Sequence, residues 1–133
     1  MELSAAQRER YERNLLVEGF TDRMQQALIA ARVAVVGAGG LGSAALNYLV
    51  AAGVGHLTLI ENDTVSLSNL QRQVLYTTAD MGRPKAEVAA MRLSRLNPGC
   101  DIRVVTDRLT AANAVGLLGG HDAVVDCTDN YDA

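Results

Sequence analysis

The sequence predicts an α/β fold, a doubly wound parallel sheet of Rossmann-like form, on three observations. Four short apolar runs, near 33–37, 56–61, 102–106 and 123–127, alternate with segments of helical periodicity. The first run meets a glycine cluster, Gly37-Ala38-Gly39-Gly40-Leu41-Gly42, with a helical pattern directly behind it. Glu61 closes the second run, nineteen residues past Gly42. Helical segments between successive strands make right-handed crossovers, so the sheet is expected to be parallel and covered on both faces. Analogy with doubly wound folds gives the strand order 3-2-1-4.

Length and composition narrow the class. At 133 residues the chain is long enough for one domain, and its 49% hydrophobic residues suit a water-soluble globular protein. A net charge of −3 gives no argument for nucleic acid or an anionic membrane as partner. Aromatics are 4% with no Trp, so base-stacking platforms are not expected. Cys100 and Cys127 stand alone, without C-x-x-C. That argues against a structural zinc held by this chain and for reduced thiols in the cytoplasm. The N-terminus is polar and charged, unlike a secretory signal, and the apolar stretches fall short of a membrane span.

The elements divide into a helical segment over 1–31 and a nucleotide-binding half-domain over 32–133. Ser4-Ala5-Ala6-Gln7 reads as a capping box opening a helix that carries Arg8, Arg10, Tyr11 and Arg13. Gly19-Phe20 breaks the pattern and Asp22 restarts it, with Met24, Ala27, Leu28 and Ala31 as the apolar face. After the first strand, Gly37, Gly39 and Gly42 spell G-x-G-x-x-G, with Gly40 inside it. Such glycines permit a tight turn and let the backbone approach a phosphate, whose charge the opening helix favours. Leu41, Ala44, Ala45, Tyr48, Leu49 and Ala52 give that helix an apolar side, and Gly53 suits its left-handed stop.

Glu61 sits where an acidic side chain meets ribose hydroxyls in dinucleotide folds. The connection over 62–73 is long and polar for a loop between core elements, which points to function. Pro84 is expected at a first helical position, with Lys85 following. A lysine there opposes the helix dipole, a conflict that a bound anion removes. Ala86, Ala89, Ala90, Leu93 and Leu96 form the apolar side of this helix, and Asn97-Pro98-Gly99 turns the chain into the third strand. Thr110 is expected to cap a short helix ending at Gly119-Gly120. The fourth strand, 123–127, reads as a central strand, apolar on both faces, with Cys127 a packed thiol and Thr128-Asp129-Asn130 at its tip. The glycines, Glu61 and Asp129 then gather at the carboxyl ends of the strands.

Arg72 and Lys85 supply cationic side chains beyond what a dinucleotide's pyrophosphate needs, and Asp129 supplies a hard carboxylate for Mg²⁺. These favour ATP over NAD. The glycine run, Ser68-Asn69-Leu70-Gln71-Arg72-Gln73, Gly82-Arg83-Pro84-Lys85 and Asp126-Cys127-Thr128-Asp129-Asn130 resemble the E1-like activating enzymes. The nearest branch is the bacterial MoeB/ThiF/HesA group, whose N-terminal segment Tyr11-Glu12-Arg13 also resembles. That family adenylates the C-terminal glycine of a small ubiquitin-like sulfur-carrier protein, using ATP and Mg²⁺ and releasing pyrophosphate.

The resemblance implies roles. Gly37, Gly39, Gly40 and Gly42 form the nucleotide turn, with Gly40 against the phosphates. Glu61 replaces the family's usual Asp and holds the ribose, and Asp63 is the second acidic position. Ser68, Asn69, Arg72 and Lys85 line the phosphates. Asp129 holds Mg²⁺ beside Asn130, and Arg13 reaches the neighbouring subunit of a homodimer. Arg13, Arg72, Lys85 and Asp129 are then the catalytic set. Family members run longer, so the chain is expected to be the first half of an adenylation domain and, alone, incompetent for carrier adenylation. Two other readings stay open: half of an NAD(P)-dependent oxidoreductase, and a noncatalytic nucleotide-binding or dimerisation module.

Overall fold

The structure, a computed structural model, describes residues 2–129. Its strands are β1 (Arg32–Val36), β2 (His56–Ile60), β3 (Asp101–Val105) and β4 (Ala123–Asp126). They pair in parallel in the predicted order, β3-β2-β1-β4. Parallel strands need long crossovers, and three helices supply them: α4 (Gly40–Ala52), α5 (Lys85–Leu96) and α6 (Ala114–Leu118). Val33 aligns with Leu57 and Ala123, and Leu57 with Ile102, so the carboxyl ends share one edge. One face of β1 and β2, through Val35, Leu57 and Leu59, packs on Leu46 and Val50 of α4 and on Val88, Ala89 and Leu93 of α5. Each fully buried leucine there contributes about 2 kcal/mol. The other face carries a smaller cluster in which Val36, Ile60 and Val105 meet Leu109, Leu117 and Leu118.

Before the sheet stand α1 (Ala5–Arg10), α2 (Glu12–Leu15) and α3 (Asp22–Ala30). The Ser4–Gln7 capping box is present in both directions. The expected first helix is broken at Tyr11, because Tyr11 turns inward to 5% exposure and its hydroxyl accepts from Asn97 Nδ2 at 2.8 Å. Thr21, rather than Asp22, caps α3 through its side chain.

The helix faces differ from the periodicity. In α3 the buried residue is Gln25, while Met24 is 48% exposed. Gln25 is satisfied there: its Nε2 donates to the Ala52 carbonyl and its Oε1 accepts from Asn14. In α4 the buried side is Gly42, Ser43, Leu46 and Val50, and Leu41 and Tyr48 face outward. The cause is at the start of the helix, where Gly42 must press on Gly37 and so sets the rotation of every later turn. Gly53 ends α4 in the left-handed region, at φ 109°. Pro84 proves to be the N-cap of α5, with Lys85 its first helical residue, because the Lys85 N–H is drawn into a backbone bond with Asp63. Thr110 heads a turn, and α6 itself begins only at Ala114. Among the described residues β4 is an edge strand, paired with β1 and largely exposed. Cys127 lies just past it, half-buried.

Candidate nucleotide cleft

The site begins where β1 stops. Gly37 takes φ +96°, and a Cβ there would lie 2.9 Å from the Cys127 carbonyl oxygen. A Cβ on Gly42 would lie 2.0 Å from the Gly37 carbonyl oxygen. These two glycines are required by the fold itself, since backbone blocks any side chain. Gly40 is different. Its Cβ would meet nothing closer than the Arg72 side chain at 3.5 Å, an ordinary contact, and Gly40 is the first residue of α4. Alanine is preferred to glycine in a helix by up to about 1 kcal/mol, the figure for a helix interior. Neither space nor backbone explains a glycine at 40.

The turn is held from three sides. The Ala38 N–H donates to Glu61 Oε1 at 3.0 Å. The Ala38 carbonyl accepts from the Tyr76 hydroxyl at 2.7 Å, and the Gly39 carbonyl from the Ser43 hydroxyl at 2.6 Å. Burial, with the charges of Glu61 and Asp63, pushes the Tyr76 phenol up, so it stays a donor. Among the described residues no side chain caps α4, so its first-turn N–H groups remain for whatever enters the cleft.

The cleft in front of this turn has a volume of about 770 Å³. Gly37, Gly39 and Gly40 form one wall, and Glu61 and Asp63, after β2, continue it. Asn69, Arg72 and Lys85 come from the polar connection and the start of α5, and Asp129 from the turn after β4. Nine of the predicted site residues thus meet at one edge. Gly42 lies beneath the turn instead of on the wall. Ser68 is exposed off the wall, its carbonyl accepting from Arg72 Nη1 at 3.3 Å. Arg13 is exposed on α2, away from the cleft of its own chain. Asn130 lies outside the described residues.

Lys85 is 4% exposed, its ammonium 3.5 Å from the Asp63 carboxylate, which is itself 67% exposed. The structure thus buries this lysine beside the cleft. The bridge between Thr64 and Pro84 and the Lys85–Asp63 backbone bond bring the two ends of the polar connection together. Behind it, Asp80 is buried among donors. Burial alone would push its carboxyl up, but the N–H and hydroxyl of Thr77, with Arg92 and Arg83, outweigh this and hold it below the usual range. The Thr128 hydroxyl and N–H similarly lower Asp126 and shape the turn that presents Asp129.

Sequence reasoning missed Gln73, Asp107, Arg108, Leu109 and Thr128, which also line the cleft. Asp107, Arg108 and Leu109 follow β3 at the same edge, so the rule that ligands sit beyond strand carboxyl ends could have found them. Among the described residues no group of three or more His, Cys, Asp or Glu could hold a metal, and no helix is long and apolar enough to cross a membrane.

The architecture is therefore a doubly wound α/β domain with a partly polar cleft of about 770 Å³ at the strand ends. The ThiF family model matches residues 11–133, and the chain belongs to the ThiF family. It is 51% identical over 129 residues to the molybdopterin-synthase adenylyltransferase of Salmonella typhimurium, covering 97% of this chain and 52% of that protein. With the sulfur carrier protein adenylyltransferase of Thermus thermophilus it shares 50% identity, over 92% of this chain and 45% of the relative. Among solved structures, E. coli tRNA N6-threonylcarbamoyladenosine dehydratase in complex with ATP superimposes with a TM-score of 0.90 at 34% identity. That match covers 98% of this chain and 53% of the other. The chain spans about half the length of the curated relatives it matches.

Proposed function

We infer that the chain forms the ATP-binding part of a sulfur-carrier adenylyltransferase. The observation that carries this reading is Gly40. The fold has room for a side chain there and would gain from one, so its absence is explained by a phosphate seated against the helix start. The names of the Salmonella and Thermus relatives, and the ATP complex of the E. coli neighbour, support ATP as that ligand and a sulfur carrier as the partner.

In this reading the terminal carboxylate of the carrier's C-terminal glycine attacks the α-phosphate of ATP. The bond to the pyrophosphate leaving group breaks, and an acyl adenylate forms. The reaction gathers negative charge on phosphate oxygens, so it needs fixed donors and positioning more than covalent chemistry. Arg72 and Lys85 supply cationic donors, Asn69 a neutral one, and the first-turn N–H groups of α4 complete the cradle. Glu61, anchored on Ala38, holds the ribose. Ile60 and Leu109 give the base an apolar floor.

The cleft mixes the cations Arg72, Lys85 and Arg108 with the acids Glu61, Asp63, Asp107 and Asp129. That charge balance suits a triphosphate carrying its own cation better than a bare one. Magnesium usually takes one or two carboxylates and completes its shell with phosphates and water, so a single Asp129 with a triphosphate fits it. When bound, the ion neutralises phosphate charge. Arg13, exposed on α2, completes the site of a second subunit in a homodimer, and the enzyme works in the cytoplasm.

The test is Gly40→Ala. The variant is expected to fold with stability equal to wild type or higher by up to about 1 kcal/mol, while its ATP affinity falls at least tenfold. Denaturant unfolding and calorimetric titration read the two effects separately. Undiminished ATP affinity in the alanine variant would count against a phosphate at this position.

A further inference from the structure

Tyr76 is a buried tyrosine whose polar end meets the glycine turn. It is 4% exposed and belongs to the main core with Val65 and Leu75. Its hydroxyl donates to the Ala38 carbonyl at 2.7 Å. The residues on either side of it are pinned. The Leu75 carbonyl accepts from Arg92 Nη1 at 3.2 Å, and the Thr77 N–H donates to Asp80 Oδ2 at 2.8 Å. Arg92 and Asp80 are themselves joined at 2.6 Å. The phenol is thus held from α5, and the place where it touches the turn is fixed.

That contact sets the direction of a second group. A trans peptide is planar, with its carbonyl and its N–H on opposite sides. The Ala38–Gly39 peptide is trans, and its carbonyl points into the core, toward Tyr76. The N–H of the same peptide belongs to Gly39 and so points away from the core. Gly39 is part-exposed on the cleft wall, whereas Tyr76 is not on that wall. Among the described residues the Gly39 N–H has no hydrogen-bond acceptor. One end of this peptide is anchored in the core, and the other is offered to the cleft.

The anchor matters because glycine permits the opposite arrangement. Gly39 has φ −86°. Turning the peptide over would carry that φ to positive values, which glycine adopts readily. The turned peptide would show the cleft a carbonyl, an acceptor where an anion needs a donor. Its N–H would face the phenol, which could then only accept, leaving the phenolic proton unpaired in the core. Other contacts do not make this choice. The Ser43 hydroxyl has one proton and lies 2.6 Å from the Gly39 carbonyl against 3.4 Å from that of Ala38. Glu61 holds the Ala38 N–H, which belongs to the preceding peptide. We propose that Tyr76 is a positioning residue for nucleotide binding: it locks the Ala38–Gly39 peptide with the Gly39 N–H toward the cleft, where that N–H donates to a phosphate oxygen. This rests on the nucleotide reading above.

The experiment is amide NMR of the isotope-labelled chain, with calorimetric titration of ATP and Mg²⁺, on wild type and Tyr76→Phe. Phenylalanine keeps the ring and removes only the O–H. In wild type the Gly39 amide signal should move on adding ATP with Mg²⁺ and stay in place with adenosine, which has no phosphate. The variant should bind ATP about tenfold more weakly, the factor carried by one hydrogen bond to a charged group. At saturating ATP its Gly39 signal should move less than that of wild type. Without ligand it should melt within about 8 °C of wild type, the shift one hydrogen bond is worth in a small domain. A wild-type Gly39 signal that bound ATP leaves in place, or that adenosine moves equally, overturns the proposal without any variant. Wild-type ATP affinity in Tyr76→Phe also overturns it. A variant that fails to fold, or melts far below that range, would make Tyr76 a packing residue instead. Wild type that binds no ATP at all would bring down the nucleotide reading itself.

Discussion

Gly42→Ala is expected to destabilise the chain by more than about 3 kcal/mol and to abolish nucleotide binding together with it. The added Cβ would lie 2.0 Å from the Gly37 carbonyl oxygen and 2.7 Å from its carbon. Both are backbone atoms, so no side chain can swing aside. Relief requires either the turn to open or α4 to roll. Opening the turn breaks the Ala38 bonds to Glu61 and Tyr76, and rolling the helix pulls Leu46 and Val50 out of the core. Urea unfolding of the variant reads the loss directly. A variant within 1 kcal/mol of wild type, an error-sized change by comparison, would mean that the strand and helix are not packed as closely as described. The contrast with Gly40→Ala is the informative part. Two alanines, two residues apart in one motif, should act in opposite directions on stability, and both should impair binding.

Lys85→Met and Arg72→Ala are each expected to slow carrier-dependent exchange of pyrophosphate into ATP by roughly 10²–10³-fold, the effect of losing one donor aimed at developing charge. The assay uses the chain joined to the part of the Salmonella relative that it does not cover. Folding should change little. Methionine keeps the apolar stem of a residue that is 4% exposed, and the Asp63 carboxylate left behind is 67% exposed and can be rehydrated. Arg72 is on the surface, and among the described residues its guanidinium donates to the Ser68 carbonyl. Exchange at the wild-type rate in either variant would place that residue outside the reaction. Loss of exchange with equal loss of stability would make it structural.

The strand order was legible because its signals are local. A strand, a glycine turn, a helix and an acid nineteen residues on need no distant partner to be read. The gathering of the glycine turn, Glu61 and Asp129 followed from topology alone, since parallel strands put their carboxyl ends at one edge. Helix rotation was not legible. Leu41, Ala44 and Tyr48 make a better apolar stripe than Gly42, Ser43 and Leu46, yet the contact of Gly42 with Gly37 overrides the stripe. Gln25 and Gln73 were equally hidden, because a buried amide is recognised by what surrounds it. For Gln25 those partners are Asn14 and Ala52, from separate elements. Lys85 reads as a surface residue until the return of the polar connection covers it. The fourth strand reads as central from its apolar residues, but pairing among the described residues gives it one neighbour, β1.

Whether this cleft is built for ATP is read most directly by comparing ligands on the chain itself. Calorimetric titration with ATP and Mg²⁺, and separately with NAD⁺, puts the two nucleotides against the same glycine turn and the same Glu61. In the function proposed above, ATP alone engages the additional cations Arg72 and Lys85 and, through Mg²⁺, the Asp129 carboxylate. ATP is expected to bind at least tenfold more tightly than NAD⁺, and more weakly once Mg²⁺ is removed. NAD⁺ binding as tightly as ATP, or more tightly, would contradict it.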